Sequence, residues 1–211
     1  MENIAFKIAK SIASSLAESV LKKGYATLVV SGGNSPIKIF HHLNHLQIQW
    51  SKVTIILGDD RMIDASNIDS NDRLIRENLI INNAESANYI SLSDPSFKSM
   101  QIKFPCDVTL LGMGLDGHFA SLFPELLNNS SLFNMNAPHA IYISDIALGT
   151  PSHKRITMNL SMLLDTHRCI LLVSNQSKRS VLDQASNNVS LPLYHLINQN
   201  KIKVECSDID F

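Results

Sequence analysis

Short runs of β-branched and aliphatic residues punctuate the sequence at Thr27 to Val30, Val53 to Leu57, Val108 to Leu111, Ile141 to Ile143, Ile170 to Val173 and Ile202 to Val204. They are apolar almost throughout instead of alternating, the pattern of strands covered on both faces. Helical patterns fall between them: after Pro36, after Ser70, after Gly117, near Ser161 to Leu164 and from Lys178 onward. Strand and helix in alternation predict βαβ units, and hence an α/β fold with a mainly parallel sheet and helices on both faces. The first segment is apolar at Ile4, Ile8, Ile12, Leu16 and Val20 but interrupted by Lys7, Lys10 and Glu18, which fits an amphipathic surface helix and neither a signal peptide nor a membrane span. With 211 residues and no Pro, Gly or Ser-rich linker, one domain over 1–211 is expected.

A net charge of -1 excludes the electrostatic footprint of a nucleic-acid or membrane-surface binder, so an anionic ligand has to be held by local groups. Cys106, Cys169 and Cys206 are far apart and form no CxxC pair, as expected of reduced packing residues in a cytoplasmic protein. The His41 and His45 spacing suits one helix face, but no third ligand accompanies it, so no metal is expected there. No obligate protein partner is evident.

In an open parallel sheet, ligands bind beyond the carboxyl ends of the strands, so the loops after the strands are the place to look for chemistry. In Ser31-Gly32-Gly33-Asn34-Ser35-Pro36, glycines allow close backbone approach to an anion, Ser35 suits an N-cap and Pro36 the first helical position. A plain strand-to-helix turn would look the same. Asp59-Asp60-Arg61 ends the next strand, and Ser70 then caps a helix; the charges fit either a functional cluster or a solvated turn. Gly112-Met113-Gly114-Leu115-Asp116-Gly117-His118 contains a formal GxGxxG. Asp116 would meet a pyrophosphate with a carboxylate, and no acid ends a second strand at the required distance, so a dinucleotide is not expected. The loop reads better as presenting His118 as a general base, Asp116 to orient it and free backbone N–H groups as oxyanion donors. Arg155 and Lys178 are candidate cations for a phosphate, although basic residues near helix starts are commonly solvated.

In series, SGGNSP, LGDDR with DSND, LLGMGLDGHFASLFPE, and HKRITMNL with NQSK resemble the 6-phosphogluconolactonase family and, through it, the glucosamine-6-phosphate deaminases. The resemblance implies a Rossmann-like fold acting on a sugar 6-phosphate without nucleotide or metal. It implies that Gly33, Asn34, Ser35, Arg155 and Lys178 hold the phosphate, that His118 is the base, and that Asp116, Asp59, Asp60 and Arg61 stand in the active site. The implied reaction is hydrolysis of 6-phospho-D-glucono-1,5-lactone to 6-phospho-D-gluconate in the oxidative pentose phosphate pathway. The alternatives are a deaminase-like isomerase and a non-catalytic sugar-phosphate sensor. Against the isomerase, the His118 segment runs into Ser121-Leu122-Phe123-Pro124, with Glu125 displaced beyond the proline. Asp60, Phe119 and Asn175 depart from the family pattern, and Phe119 and Asn175 leave open an altered pocket shape or reduced activity.

Overall fold

Consecutive residues of β1 (Ala26–Val30) point to opposite faces of a sheet, and each face has its own core. Leu28 and Val30 join one hydrophobic cluster with Ile55, Leu57, Val108, Leu110, Ile170 and Leu172, while Val29 joins the other with Ile56, Leu111, Leu171 and Val173. The structure, a computed structural model, describes residues 3–94 and 102–208. Its main sheet runs β4 (Asn88–Ile90), β2 (Val53–Leu57), β1, β5 (Cys106–Leu111), β8 (Thr166–Val173) and β9 (Val204–Asp208), with every neighbour parallel. The first face is covered by α1 (Ile4–Lys23), α2 (Ile37–Leu43) and α3 (Asn71–Asn78). The second is covered by residues that include α5 (Leu160–Leu163), α6 (Gln176–Ala185) and α7 (Pro192–Ile197). This is a Rossmann-like, doubly wound order. Its reversal point lies between β1 and β5, where the loops after the two strands diverge and leave a crevice.

α1 shows how local sequence sets the elements. Asn3 caps it by accepting the Ala5 N–H at 2.9 Å, Gly24 ends it in the left-handed region at φ 78°, and Ile8, Ile12, Leu16 and Val20 form its buried stripe. At the amino end of β5, the buried Asp107 carboxylate takes the Thr27 N–H at 2.7 Å, the Ser19 hydroxyl at 2.5 Å and the Lys23 ammonium at 2.9 Å, tying α1 to the sheet. Among the described residues, no helix is long and apolar enough to cross a membrane.

A second, antiparallel sheet of order β3 (Asp59–Arg61), β7 (Arg155–Met158) and β6 (Ile141–Ile143) stands over the carboxyl ends of the first. Gly58 joins the two, donating its N–H to the Val30 carbonyl at 2.8 Å and accepting from Met158 N at 3.0 Å. The segments expected as loops at Asp59 and Arg155 are therefore strands. The strand expected at Ile202 to Val204 begins only at Val204. The helix expected after Gly117 is absent: Phe119 and Leu122 form an isolated bridge, Ala120 takes φ 46°, and a single 3-10 turn follows at Pro124–Leu126. Cys106 and Cys169 are buried as expected, but Cys206 is exposed.

Candidate active site

The alternation of β3 decides which of its charged residues can act. Asp59 and Arg61 pair across the ladder with Thr157 and Arg155, and Asp59, Arg61 and Arg155 line a cleft at the mouth of the β1/β5 crevice. Asp60 faces the other way. Its carboxylate sits at the amino end of α3, accepting from Asn71 N at 2.6 Å, Asp72 N at 3.1 Å and the Ser70 hydroxyl at 3.3 Å. Burial raises the Asp60 carboxyl above the usual range against the pull of these backbone donors. Asp60 thus anchors α3, a structural use for this departure from the family pattern, and does not line the cleft. Ser70 caps α3 as expected, receiving Arg73 N at 3.2 Å.

Asp59 Oδ2 accepts the Ser121 hydroxyl at 2.7 Å, and Asp59 Oδ1 is buried without a hydrogen-bond partner among the described residues. Arg61 Nη1 donates to the Asp69 carbonyl, and Asp69 Oδ2 lies 3.1 Å from His153 Nε2, giving His153 a partner that sequence did not suggest. Arg155 is held by its own loop: Nε and Nη2 donate to the Leu148 carbonyl at 3.1 and 2.7 Å, and Nη2 also to Pro151 at 3.2 Å. Burial and the facing Arg61 both push the Arg155 pKa down. Two guanidinium groups directly opposite on a ladder repel, an arrangement relieved by an anion between them.

Across the cleft stand the β1 and β5 loops. Ser31, Gly32, Gly33, Asn34 and Ser35 all line it, with Gly33 at φ 88°. The helix here begins at Ile37 with Pro36 as its cap residue, so Ser35 is not the N-cap. Its hydroxyl instead receives the Lys178 ammonium at 3.4 Å. Lys178 comes from the first turn of α6, whose N-cap Asn175 accepts Lys178 N at 2.9 Å, so Asn175 serves the helix end and does not itself line the cleft. Burial lowers the Lys178 pKa. Arg61, Arg155 and Lys178 form no ion pair among the described residues.

His118 lines the cleft with its Nδ1 at 2.5 Å from Asp116 Oδ1. Burial opposes ionisation of Asp116, but hydrogen bonding and charge from His118 outweigh it and hold the carboxyl below its usual range. An ionised carboxylate only accepts, so Nδ1 carries the proton and Nε2 is left as the basic nitrogen. Gly114 is required by this pairing, because a Cβ there would overlap both the His118 ring and the Asp116 carboxylate. Three of the backbone donors in this loop are engaged: Gly114 N bonds His118 O at 2.9 Å, Gly117 N bonds Gly114 O at 3.2 Å, and His118 N bonds Asp116 at 3.2 Å. Phe119 is fully buried in the core and does not line the cleft. Sequence reasoning also missed Asn71, whose side chain packs where a Cβ on Gly32 would stand, and whose Nδ2 bonds the Asp59 carbonyl at 3.0 Å.

His41 and His45 face the far end of α3 and the turn after it, His41 Nε2 lying 2.9 Å from Asn78 Oδ1 and His45 Nε2 3.4 Å from Asn82 Nδ2.

Residues 1–204 match the family described as glucosamine-6-phosphate isomerases/6-phosphogluconolactonase. The chain belongs to that family. A 6-phosphogluconolactonase of Neisseria meningitidis is 32% identical over 213 residues, covering 94% of this chain and 91% of the relative. One from Helicobacter pylori is 33% identical over 201 residues, covering 89% and 86%. The crystal structure of a 6-phosphogluconolactonase from Shewanella baltica superposes with a TM-score of 0.86 at 32% identity, covering 99% of this chain and 93% of that one. Membership of the glucosamine-6-phosphate isomerase/6-phosphogluconolactonase family accords with the cleft at the β1/β5 reversal point, to which both halves of the chain contribute.

Proposed function

We propose that this chain is a carboxylic ester hydrolase that opens 6-phospho-D-glucono-1,5-lactone to 6-phospho-D-gluconate, the hydrolytic step of the oxidative pentose phosphate pathway. The observation that carries the reading is a cleft with three cations, Arg61, Arg155 and Lys178, that have no ion pair among the described residues, beside the Asp116–His118 pair. Arg155 and Lys178, with the Gly33-Asn34-Ser35 loop, hold the phosphate as a charge-assisted cradle. His118 Nε2 takes a proton from water, which attacks the lactone carbonyl; as the adduct collapses the ring acyl C–O bond breaks, and the imidazolium, stabilised by Asp116, returns the proton to the departing ring oxygen. Arg61 stabilises the carbonyl oxygen as it gains charge, since the Gly114, Gly117 and His118 amides are already bonded within their loop. Asp59, held through Oδ2 by the Ser121 hydroxyl, lines the same cleft. The mechanism uses neither metal nor nucleotide.

Glu125 is exposed in the turn after Phe123 and does not line the cleft, which favours hydrolysis over the proton shuttling an isomerase needs. We further propose that residues 1–211 act as one domain, in the cytoplasm and without an obligate partner; the three unbridged cysteines fit a reducing compartment. The test is a coupled assay with freshly generated lactone, corrected for spontaneous opening, run beside ammonia release from glucosamine 6-phosphate. Lactone hydrolysis without ammonia is expected, and a folded His118→Ala protein should lose roughly 10²- to 10⁴-fold in kcat. Ammonia release faster than lactone opening would overturn the reading.

A further inference from the structure

Phe123 is buried, yet its ring forms a wall shared by two groups of the cleft. The His118 imidazole stacks on it with ring centroids 4.2 Å apart and planes 26° from parallel. The Arg155 guanidinium carbon lies 5.2 Å from the same ring centroid. No hydrogen bond links His118 to Arg155 among the described residues, so the ring is what they have in common. Each is otherwise tethered on its own side, His118 through Nδ1 to Asp116 and Arg155 to the Leu148 and Pro151 carbonyls.

A ring held by one hydrogen bond at Nδ1 can still pivot about that bond, and a pivot would swing Nε2 away from the water it has to deprotonate. A flat aromatic surface removes that freedom, because stacked rings keep their planes nearly parallel. The chain fixes the surface in turn. Ala120 at φ 46° sends Ser121 to Asp59, the Leu122 N–H returns to the Phe119 carbonyl at 3.0 Å, and Pro124 opens the 3-10 turn that closes on Phe123 through Leu126 N at 3.0 Å. Gly149 supports the far rim: a Cβ there would stand 3.0 Å from Phe123 Cζ and 2.6 Å from Arg155 Nη2.

We propose that Phe123 is a positioning residue that fixes the plane of His118 and its separation from Arg155, so that a substrate anchored by its phosphate presents its carbonyl to the water activated by Nε2. The proposal rests on the hydrolase reading given above. Leucine would refill the apolar volume without restoring a plane. Misplacement of a catalytic group by about 1 Å costs on the order of 10²-fold, so a partial pivot in Phe123→Leu should lower kcat per folded molecule about ten-fold and raise KM a few-fold as Arg155 loses its wall.

The experiment measures kcat and KM for wild type, Phe123→Leu and Phe123→Met, each scaled to its folded fraction by circular dichroism, together with the proton NMR position of His118 Cε1–H. In the wild type that proton is expected to be shifted by the Phe123 ring current, and the shift should vanish in both variants. A loss of activity that only tracks the folded fraction, or a kcat within two-fold of wild type in either folded variant, would overturn the proposal. If the wild type does not open the lactone, the hydrolase reading fails instead, and the NMR signal still decides whether Phe123 holds the imidazole.

Discussion

Replacing Asp116 by asparagine tests the direction of the proton path. In the wild type the carboxylate receives His118 Nδ1–H at 2.5 Å, which leaves Nε2 free to accept a proton. The asparagine amide can donate to Nδ1 and so favour the tautomer protonated at Nε2, which cannot act as a base. The ground-state contact is modest: a charge-assisted bond is worth roughly 1.5 to 3 kcal/mol, and with the two side chains 30% and 46% exposed, screening reduces this to about 1 kcal/mol. The kinetic effect should exceed that, because the same change in a buried Ser-His-Asp triad costs about 10⁴ in kcat through the wrong tautomer. For this half-exposed pair we expect about 10² to 10³ in kcat, with KM within about two-fold because the phosphate cations are untouched. The assay is lactone hydrolysis followed by oxidation of the released acid, with spontaneous opening subtracted and folding checked by circular dichroism. A folded Asp116→Asn enzyme within three-fold of wild-type kcat would refute the assignment of Nε2 as the base and of Asp116 as its orienter.

Lys178→Ala should raise KM about ten-fold or more through loss of a charge-assisted contact, and should reduce the thermal stabilisation given by inorganic phosphate; unchanged values for both would remove Lys178 from the phosphate site. Gly114→Ala should lower kcat about 100-fold with a thermal midpoint near wild type, since its Cβ displaces the His118 and Asp116 side chains. Asp107 gives a pH-dependent stability signal: burial disfavours its charge, but Ser19, Lys23 and Thr27 outweigh this and lower its pKa. Its contribution is therefore present above about pH 4 and lost as pH falls through the depressed folded value. Asp107→Asn should be less stable by about 2 kcal/mol in urea at pH 7, with the gap closing on acidification and kcat unchanged.

The strands β1, β2, β5 and β8 were legible because residues buried on both faces leave continuous apolar runs, and the crevice followed from where those runs end. β3 and β7 were not legible as strands, since one face of each is turned to a polar cleft and short charged segments resemble turns. The signal was nevertheless present in Arg155-Ile156-Thr157-Met158, where polar and apolar residues alternate with a strand's period. The same alternation separates Asp59 from Asp60, a distinction that charge alone does not make. The helix expected after Gly117 failed for the opposite reason: Phe119, Leu122 and Phe123 have helical spacing, but each packs from an irregular chain bent at Ala120 and stopped by Pro124. His118, Asp116, Arg155 and Lys178 were found as chemistry-bearing types after strands, whereas Asn71, Ser121 and Phe123 act by holding other residues and have no composition signal of their own.

On the mechanism proposed above, the pairing of Arg61 with Arg155 makes catalytic competence a readout of alignment. A slip of one residue between β3 and β7 would exchange the faces of the slipped strand, turning Asp59 and Arg61 inward and Asp60 outward. Few ladder bonds guard against this, because the small sheet has strands of three and four residues, while the main sheet is held by six strands in parallel. The two layers therefore have unequal resistance to opening. In a denaturant titration, turnover should disappear at a concentration where the helical signal is still intact, and it should return on dilution without the delay of global refolding.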